Sequence, residues 1–147
     1  KEKNLKITVE DPSISTKIVC DEYKIVQVIG NLLSNAMKFT LEDRHITITF
    51  NSGELQFGQR SSDKEMISAL TVSVKDQGVG IPKNELKSVF DKFIQSSITK
   101  SGAGGTGLGL AICKEIIQAH NGKIWAENNP EGGSTFSFML PYEQNAE

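Results

Sequence analysis

The sequence predicts an α+β fold, a two-layer sandwich with helices on one face of a mixed, mostly antiparallel sheet. Two stretches carry apolar residues at helical spacing, and several short ones alternate apolar and polar residues. The two kinds do not follow the strict strand–helix–strand order of a wholly parallel sheet. Size agrees with a sandwich. The 147 residues make about one domain, enough to bury roughly 68–70% of the unfolded surface. Apolar residues at 37%, with 13 glycines besides, give a globular composition rather than a disordered one. A net charge of −2 argues against a large basic surface for nucleic acid. Residues 25–33 form the longest apolar stretch, broken by Gln27, Gly30 and Asn31, so nothing reaches the ~18–20 residues of a membrane span. No signal peptide is visible. Cys20 and Cys113 lack metal-ligand spacing and read as small buried hydrophobes of a reducing compartment.

Each element has its own signal. Residues 5–9 alternate and read as a half-buried strand, and Asp11-Pro12-Ser13 is a turn. Residues 14–20 can hold a short second strand. Asp21 is a good N-cap for a helix that runs to Thr40, with Ile25, Ile29, Leu32, Leu33 and Ala36 on one stripe. Gly30 inside it costs about 1 kcal/mol relative to alanine. Residues 45–50 and 70–74 alternate as strands, and the polar run 51–65 between them is most simply a long hairpin tip. Pro82 suits the first turn of a short helix towards Phe93. Residues 95–105 are rich in Ser, Thr and Gly and predict a mobile loop. A second helix runs from about Gly107 to His120 and ends at Asn121-Gly122. Residues 123–127 and 134–140 are the last strands. The fold is expected to be one domain over residues 1–142, with a polar tail at 143–147.

Four places carry groups suited to chemistry. Asn31, Asn35 and Lys38 lie at i, i+4 and i+7 and share one helix face. Two amide oxygens and an ammonium there suit a hydrated Mg²⁺ and a polyphosphate, although a solvated polar face is the plainer reading. Asp76-Gln77-Gly78-Val79-Gly80-Ile81-Pro82 ends a strand; its carboxylate can accept from a ligand amine while glycines let the backbone approach. An ordinary turn is the alternative. Residues 102–109 hold five glycines and open a helix, where free N–H groups bind phosphate. Gly102 to Gly107 matches a dinucleotide-binding pattern, but no strand precedes it, and no Lys-Ser/Thr follows to make a P-loop. Gly132-Gly133-Ser134-Thr135 alone would be a hairpin turn.

In order, the chain reads Asn31-Leu32-Leu33-Ser34-Asn35-Ala36-Met37-Lys38-Phe39-Thr40, then Asp76-x-Gly78-x-Gly80-Ile81-Pro82, Phe90-Asp91-Lys92-Phe93, Gly105-Thr106-Gly107-Leu108-Gly109-Leu110, and Gly132-Gly133-Ser134-Thr135-Phe136. This series resembles the five sequence boxes of the ATP-binding catalytic domain of two-component sensor histidine kinases, over nearly the whole chain. The resemblance implies the Bergerat-type sandwich, with ATP and Mg²⁺ as cofactors. Asn35 would ligate Mg²⁺, and Asn31 and Lys38 would contact phosphates. Asp76 would bind the adenine amine with help from Thr135. Gly78, Gly80 and Ile81 would close on the base, and Phe39 would pack on it. Phe90 and Phe93 would anchor a lid, with Lys92 and Gln95 at its end. Gly105, Thr106, Gly107, Leu108 and Gly109 would lie over the triphosphate.

Relatives that hydrolyse ATP carry a glutamate as general base four residues before the Mg²⁺-binding asparagine. Here Asn31 stands there and cannot take a proton. A histidine acceptor is already nucleophilic as neutral imidazole, so the resemblance implies transfer to histidine rather than hydrolysis. His45 and His120 lack the context of the family's phosphoacceptor, which is expected on a dimerisation domain N-terminal of Lys1. The fragment is expected to have little activity alone. A response-regulator receiver domain would act downstream, and neither nucleic acid nor membrane contact is expected. The domain would be cytoplasmic, whether or not its parent is membrane-anchored. The alternatives are an ATP-hydrolysing member of the superfamily and a nucleotide-binding interaction module without catalysis.

Overall fold

Alternation along the strands decides which face of the sheet is dry. The computed structural model describes residues 6–10, 18, 20–40, 44–57, 65–86, 88–91 and 108–142. They form β1 (Lys6–Val9), α1 (Glu22–Phe39), β2 (His45–Phe57), β3 (Glu65–Lys75), a 3₁₀ turn (Lys83–Glu85), α2 (Leu108–Ala119), β4 (Lys123–Asn128) and β5 (Ser134–Pro141). The sheet order is β1-β2-β3-β5-β4, with β1 parallel to β2 and the other neighbours antiparallel. The register pairs Ile48 with Val74, Val72 with Phe138, and Ile124 with Phe138. Ile46, Ile48, Leu70, Val72, Val74, Phe136, Phe138 and Leu140 therefore share one face. Ile25, Val28, Leu32 and Ala36 of α1 cover it with Cys113, Ile116 and Ile117 of α2. Each large side chain buried there contributes roughly 1.5–3 kcal/mol. The opposite face carries hydroxyls such as Thr47, Thr49, Thr71 and Ser73, and Ser73 bonds Ser137 across strands at 2.8 Å. The expected two-layer α+β sandwich is what forms.

The helix ends follow their capping chemistry. Asp21 accepts from the Lys24 N–H at 3.3 Å, which uses one of the free donors of the first turn. At the end of α2, Asn121 takes the left-handed conformation with φ 63°, and the Gly122 N–H donates to the Ile117 carbonyl at 2.9 Å. Asparagine tolerates that region better than most residues. His120 bonds the Ile116 carbonyl through Nδ1 at 2.8 Å, and its Nε2 accepts from the Asp21 N–H at 3.0 Å. Because a backbone N–H can only donate, Nε2 is the acceptor there, and the Nδ1 side of the ring faces the carbonyl.

Two expectations change. The run 51–65 is not all hairpin tip: β2 continues to Phe57 and β3 begins at Glu65. Backbone pairing continues through the polar residues because Leu55 and Ala69 are themselves buried. After Pro82 comes a 3₁₀ turn of three residues, and residues 88–91 are turn and bend rather than helix, while Phe93 lies outside the described residues. The expected strand over 14–20 lies almost wholly outside the described residues, although Ile18 and Cys20 pack against the core. The loop 95–105 and the tail 143–147 also lie outside them. Among the described residues, no helix is long and apolar enough to cross a membrane.

Candidate functional site

β3 ends at Lys75, and the next side chain, Asp76, is 1% exposed. Its Oδ1 accepts from the Gly78 N–H at 2.9 Å and the Ser134 N–H at 3.1 Å. Oδ2 accepts from the Ser134 hydroxyl at 3.0 Å. The Asp76 N–H donates to the Ser134 carbonyl at 2.8 Å, and its own carbonyl accepts from Asn129 Nδ2 at 3.2 Å. Hydrogen bonds to a charged group contribute about 1.5–3 kcal/mol each, so this clasp compensates the burial of the carboxylate. A carboxylate offers about four acceptor positions; the described residues use three, and one on Oδ2 remains for a ligand donor.

The clasp demands glycine at position 133. Gly133 has φ 81°, and a Cβ there would stand 2.2 Å from the Asp76 carbonyl oxygen. Gly80 is also left-handed. Beside it, Asn128 grips the Ile81 backbone from both sides, accepting from the N–H at 2.8 Å and donating to the carbonyl at 2.7 Å. Gly78 forms an antiparallel bridge with Thr40, which ties the end of α1 to the Asp76 loop.

Thr135 does not take the place expected for it. Its hydroxyl donates to Asn129 Oδ1 at 2.6 Å, and the hydroxyl on Asp76 belongs to Ser134. Strand alternation explains this. Ser134 shares the inward face with Phe136 and Phe138, whereas Thr135 points to the other side. The sequence carries that signal in the alternation of Phe136 and Phe138. Asn128 and Asn129 carry no local sign of their contacts with Ile81 and Asp76, which lie 47 and 53 residues away.

The other expected residues lie along α1 and the first turn of α2. Asn31 and Asn35 are half-buried and Lys38 is exposed. Asn31 Nδ2 donates to the Gly109 carbonyl at 3.4 Å. An amide suits this contact, since a carboxylate would set two acceptors against each other. Gly109 lies in the opening turn of α2, where helical N–H groups have no intrahelical partner. Behind Asn31, burial pushes the Cys113 thiol up to about 11, and a hydrogen bond with Asn31 pulls partly the other way. Phe39 ends α1 and Leu108 begins α2; these two are described by backbone alone. Phe90 is buried and meets Phe136 edge-on, with ring centroids 5.9 Å apart. Lys92, Phe93, Gln95, Gly105, Thr106 and Gly107 lie outside the described residues. The Thr40–Gly78 bridge and the Asn31–Gly109 bond thus join three segments: α1, the Asp76 loop and the start of α2. His45 and His120 stand apart in structural contacts. His45 Nε2 meets Thr8 Oγ1 at 3.0 Å, and its N–H donates to Gln77 Oε1 at 2.7 Å.

Known proteins resemble this chain in sequence and fold. Residues 20–144 match the family described as histidine kinase-, DNA gyrase B-, and HSP90-like ATPase. The sensor histidine kinase WalK of Bacillus subtilis (strain 168) is 38% identical over 148 residues, covering 100% of this chain and 22% of its own length. The adaptive-response sensory kinase SasA of Synechocystis sp. (strain PCC 6803) is 39% identical, covering 95% of this chain and 33% of its own. The chain thus spans between a fifth and a third of these two curated relatives. Among solved structures, the catalytic domain of histidine kinase ThkA in a nucleotide-free form superposes with TM-score 0.73 at 32% identity, covering 95% of this chain and 82% of that one. Full-length ShkA in complex with AMPPNP gives 0.71 at 26% identity, covering 97% and 27%. With the match running from just before α1 to just past β5, the chain belongs to the histidine kinase-, DNA gyrase B- and HSP90-like ATPase family.

Proposed function

We propose that residues 1–142 are the ATP-binding catalytic domain of a sensor histidine kinase, with 143–147 a tail. In this reading the domain donates the γ-phosphoryl group of ATP to a histidine on a separate domain of the parent protein. A response-regulator receiver domain then accepts the group. The observation that carries the reading is the Asp76 clasp: a buried carboxylate fixed by Gly78 and Ser134, with acceptor capacity left on Oδ2 for an adenine amine. Ser134, rather than Thr135, is the hydroxyl that assists it. Gly80 and Ile81, steadied by Asn128, form the floor under the base, and Phe39 packs on it. Support also comes from the relatives named as sensor kinases and from the structural relative solved with AMPPNP.

The phosphate end uses α1 and α2. Asn31 and Lys38 would contact phosphates, and Gly105, Thr106, Gly107, Leu108 and Gly109 would lie over them, with Phe93 anchoring the lid. Asn35 would supply an amide oxygen to Mg²⁺. The donor set suits that ion, which takes few protein ligands and keeps phosphate and water oxygens. Among the described residues, no group of three His, Cys, Asp or Glu side chains could cage a metal by itself. The bound ion supplies neutralisation of phosphate charge; the protein's own task is to hold the γ-phosphate in line with its acceptor. Asn31 offers no base, and a neutral imidazole acceptor requires none.

Calorimetry tests the reading. The domain binds ATP or ADP in a magnesium-dependent manner, and Asp76→Asn weakens binding about 30–100-fold, the loss of one charged hydrogen bond. Circular dichroism establishes that the variant is folded. Unchanged affinity in a folded Asp76→Asn would defeat the adenine assignment.

A further inference from the structure

The Asp76 loop leaves the sheet, and carboxamide side chains take over where the β-ladder stops. β3 pairs with β2 as far as Lys75 and Thr47. The next positions in that register are Gln77 and His45. There the backbones part, because Gly78 turns to bridge Thr40. The Gln77 side chain reaches back instead and accepts from the His45 N–H at 2.7 Å. On the other side, Asn129 Nδ2 donates to the Asp76 carbonyl at 3.2 Å. Asn128 holds the far end of the loop through the N–H and the carbonyl of Ile81, at 2.8 and 2.7 Å.

Of the three, Asn128 makes the contact that demands a carboxamide. Its Oδ1 accepts and its Nδ2 donates, as the two groups of a facing strand would. A carboxylate there would set an oxygen against the Ile81 carbonyl, and a hydrocarbon would leave both backbone groups to water. Asn128 is itself fixed in place. It is the last residue of β4 and pairs with Ser134 of β5, the residue that clasps the Asp76 carboxylate. Asn128 and Asn129 adjoin in sequence, so one hairpin grips the loop at both ends, Asp76 and Ile81. The separation of the two grips follows from the hairpin's own geometry. Asn128 Oδ1 also lies against the loop backbone, 3.2 Å from where a Cβ on Gly80 would stand.

This grip does little for folding. Asn128 is exposed, and hydrogen bonds of an exposed side chain are exchanged for bonds to water at small net gain. What the grip removes is freedom. Gly78 and Gly80 are two of the four residues between the grips, and glycine leaves a free loop many shapes. A loop already held in one shape costs less to order when a ligand arrives. On the reading that this loop receives adenine, we propose that Asn128 is a positioning residue for the base. Acting through Ile81, its carboxamide sets the affinity for the base while adding little to the stability of the fold.

The test compares Asn128→Asp, Asn128→Ala and the neighbouring control Glu127→Ala by calorimetry with ADP and magnesium. Both Asn128 variants should bind about tenfold more weakly than the native chain, and the control within twofold. Thermal midpoints of all three should stay within about 3 °C of the native value. In Asn128→Ala the Ile81 amide should exchange with solvent about tenfold faster. Affinity within threefold of native in either Asn128 variant would overturn the proposal. So would an unchanged Ile81 exchange rate, an equal loss in Glu127→Ala, or a larger fall in midpoint, which would make the role one of general stability. Asp76→Asn, measured alongside, separates the two levels. If it binds ADP normally, the adenine reading falls and this proposal with it. If it binds weakly while the Asn128 variants bind normally, the proposal alone falls.

Discussion

Asp76 and Asn31 belong to the same candidate site, yet five hydrogen bonds of 2.8–3.2 Å clasp Asp76, whereas Asn31 reaches across to α2 at 3.4 Å. The first residue is locked by the register between β3 and β5. The second depends on how two helices lie against each other. Strand register cannot shift by part of a residue, whereas a helix pair can slide slightly at small cost. One end of the site is therefore built before any ligand arrives, and the other is left adjustable. A rigid end suits recognition of a flat base. On the proposed function, an adjustable end suits a triphosphate whose terminal group passes to another domain.

Four measurements would break or sharpen this contrast, taken from the largest expected stability change downward. Gly133→Ala strikes the rigid end directly, with a backbone clash at 2.2 Å and a positive φ. It should cost about 3 kcal/mol in denaturant unfolding and abolish nucleotide binding; a cost under 1 kcal/mol would show that the clasp yields. The second is alkaline pH. The folded Cys113 thiol keeps its proton to about 11, while the unfolded thiol releases it near 9.0. The unfolded chain then binds fewer protons between those values, so stability is full below pH 9 and falls by about 2 kcal/mol as pH rises towards 11. Cys113→Ala should remove that part of the slope; an unchanged slope would mean the helix seam is looser than it looks.

The third compares neighbours. Ser134→Ala should lose about 1 kcal/mol of stability and about tenfold in ADP affinity by calorimetry, while Thr135→Ala changes affinity less than threefold. The reverse order would return the assisting role to Thr135. Last, Asn35→Ala at the adjustable end should move stability by less than about 0.5 kcal/mol and yet erase the magnesium dependence of ATP binding. Full magnesium dependence in that variant would remove Asn35 from the phosphate end.

Much of this was legible from local pattern. Asp21 as an N-cap, the Ile25–Leu32–Ala36 stripe and the Asp76-x-Gly78-x-Gly80 turn all announce themselves within a few residues. What escaped notice depends on distant partners. Asn128 has meaning only once Ile81 lies beside it, and Leu55 is apolar in a polar run until Ala69 pairs nearby. Ser134 is the instructive case. Its neighbour Thr135 has the same chemistry, and only the inward phase of Phe136 and Phe138 separates them.

β5 is the last of the described strands in sequence, but it is fourth of five across the sheet. A ribosome delivers β3 and Asp76 long before Ser134. Until β5 inserts, β3 is an open edge and Asp76 lacks Ser134, which supplies three of its hydrogen bonds. Sheet closure and completion of the clasp are therefore one event in the life of the nascent chain. The domain acquires its buried clasp only once β5 has been made.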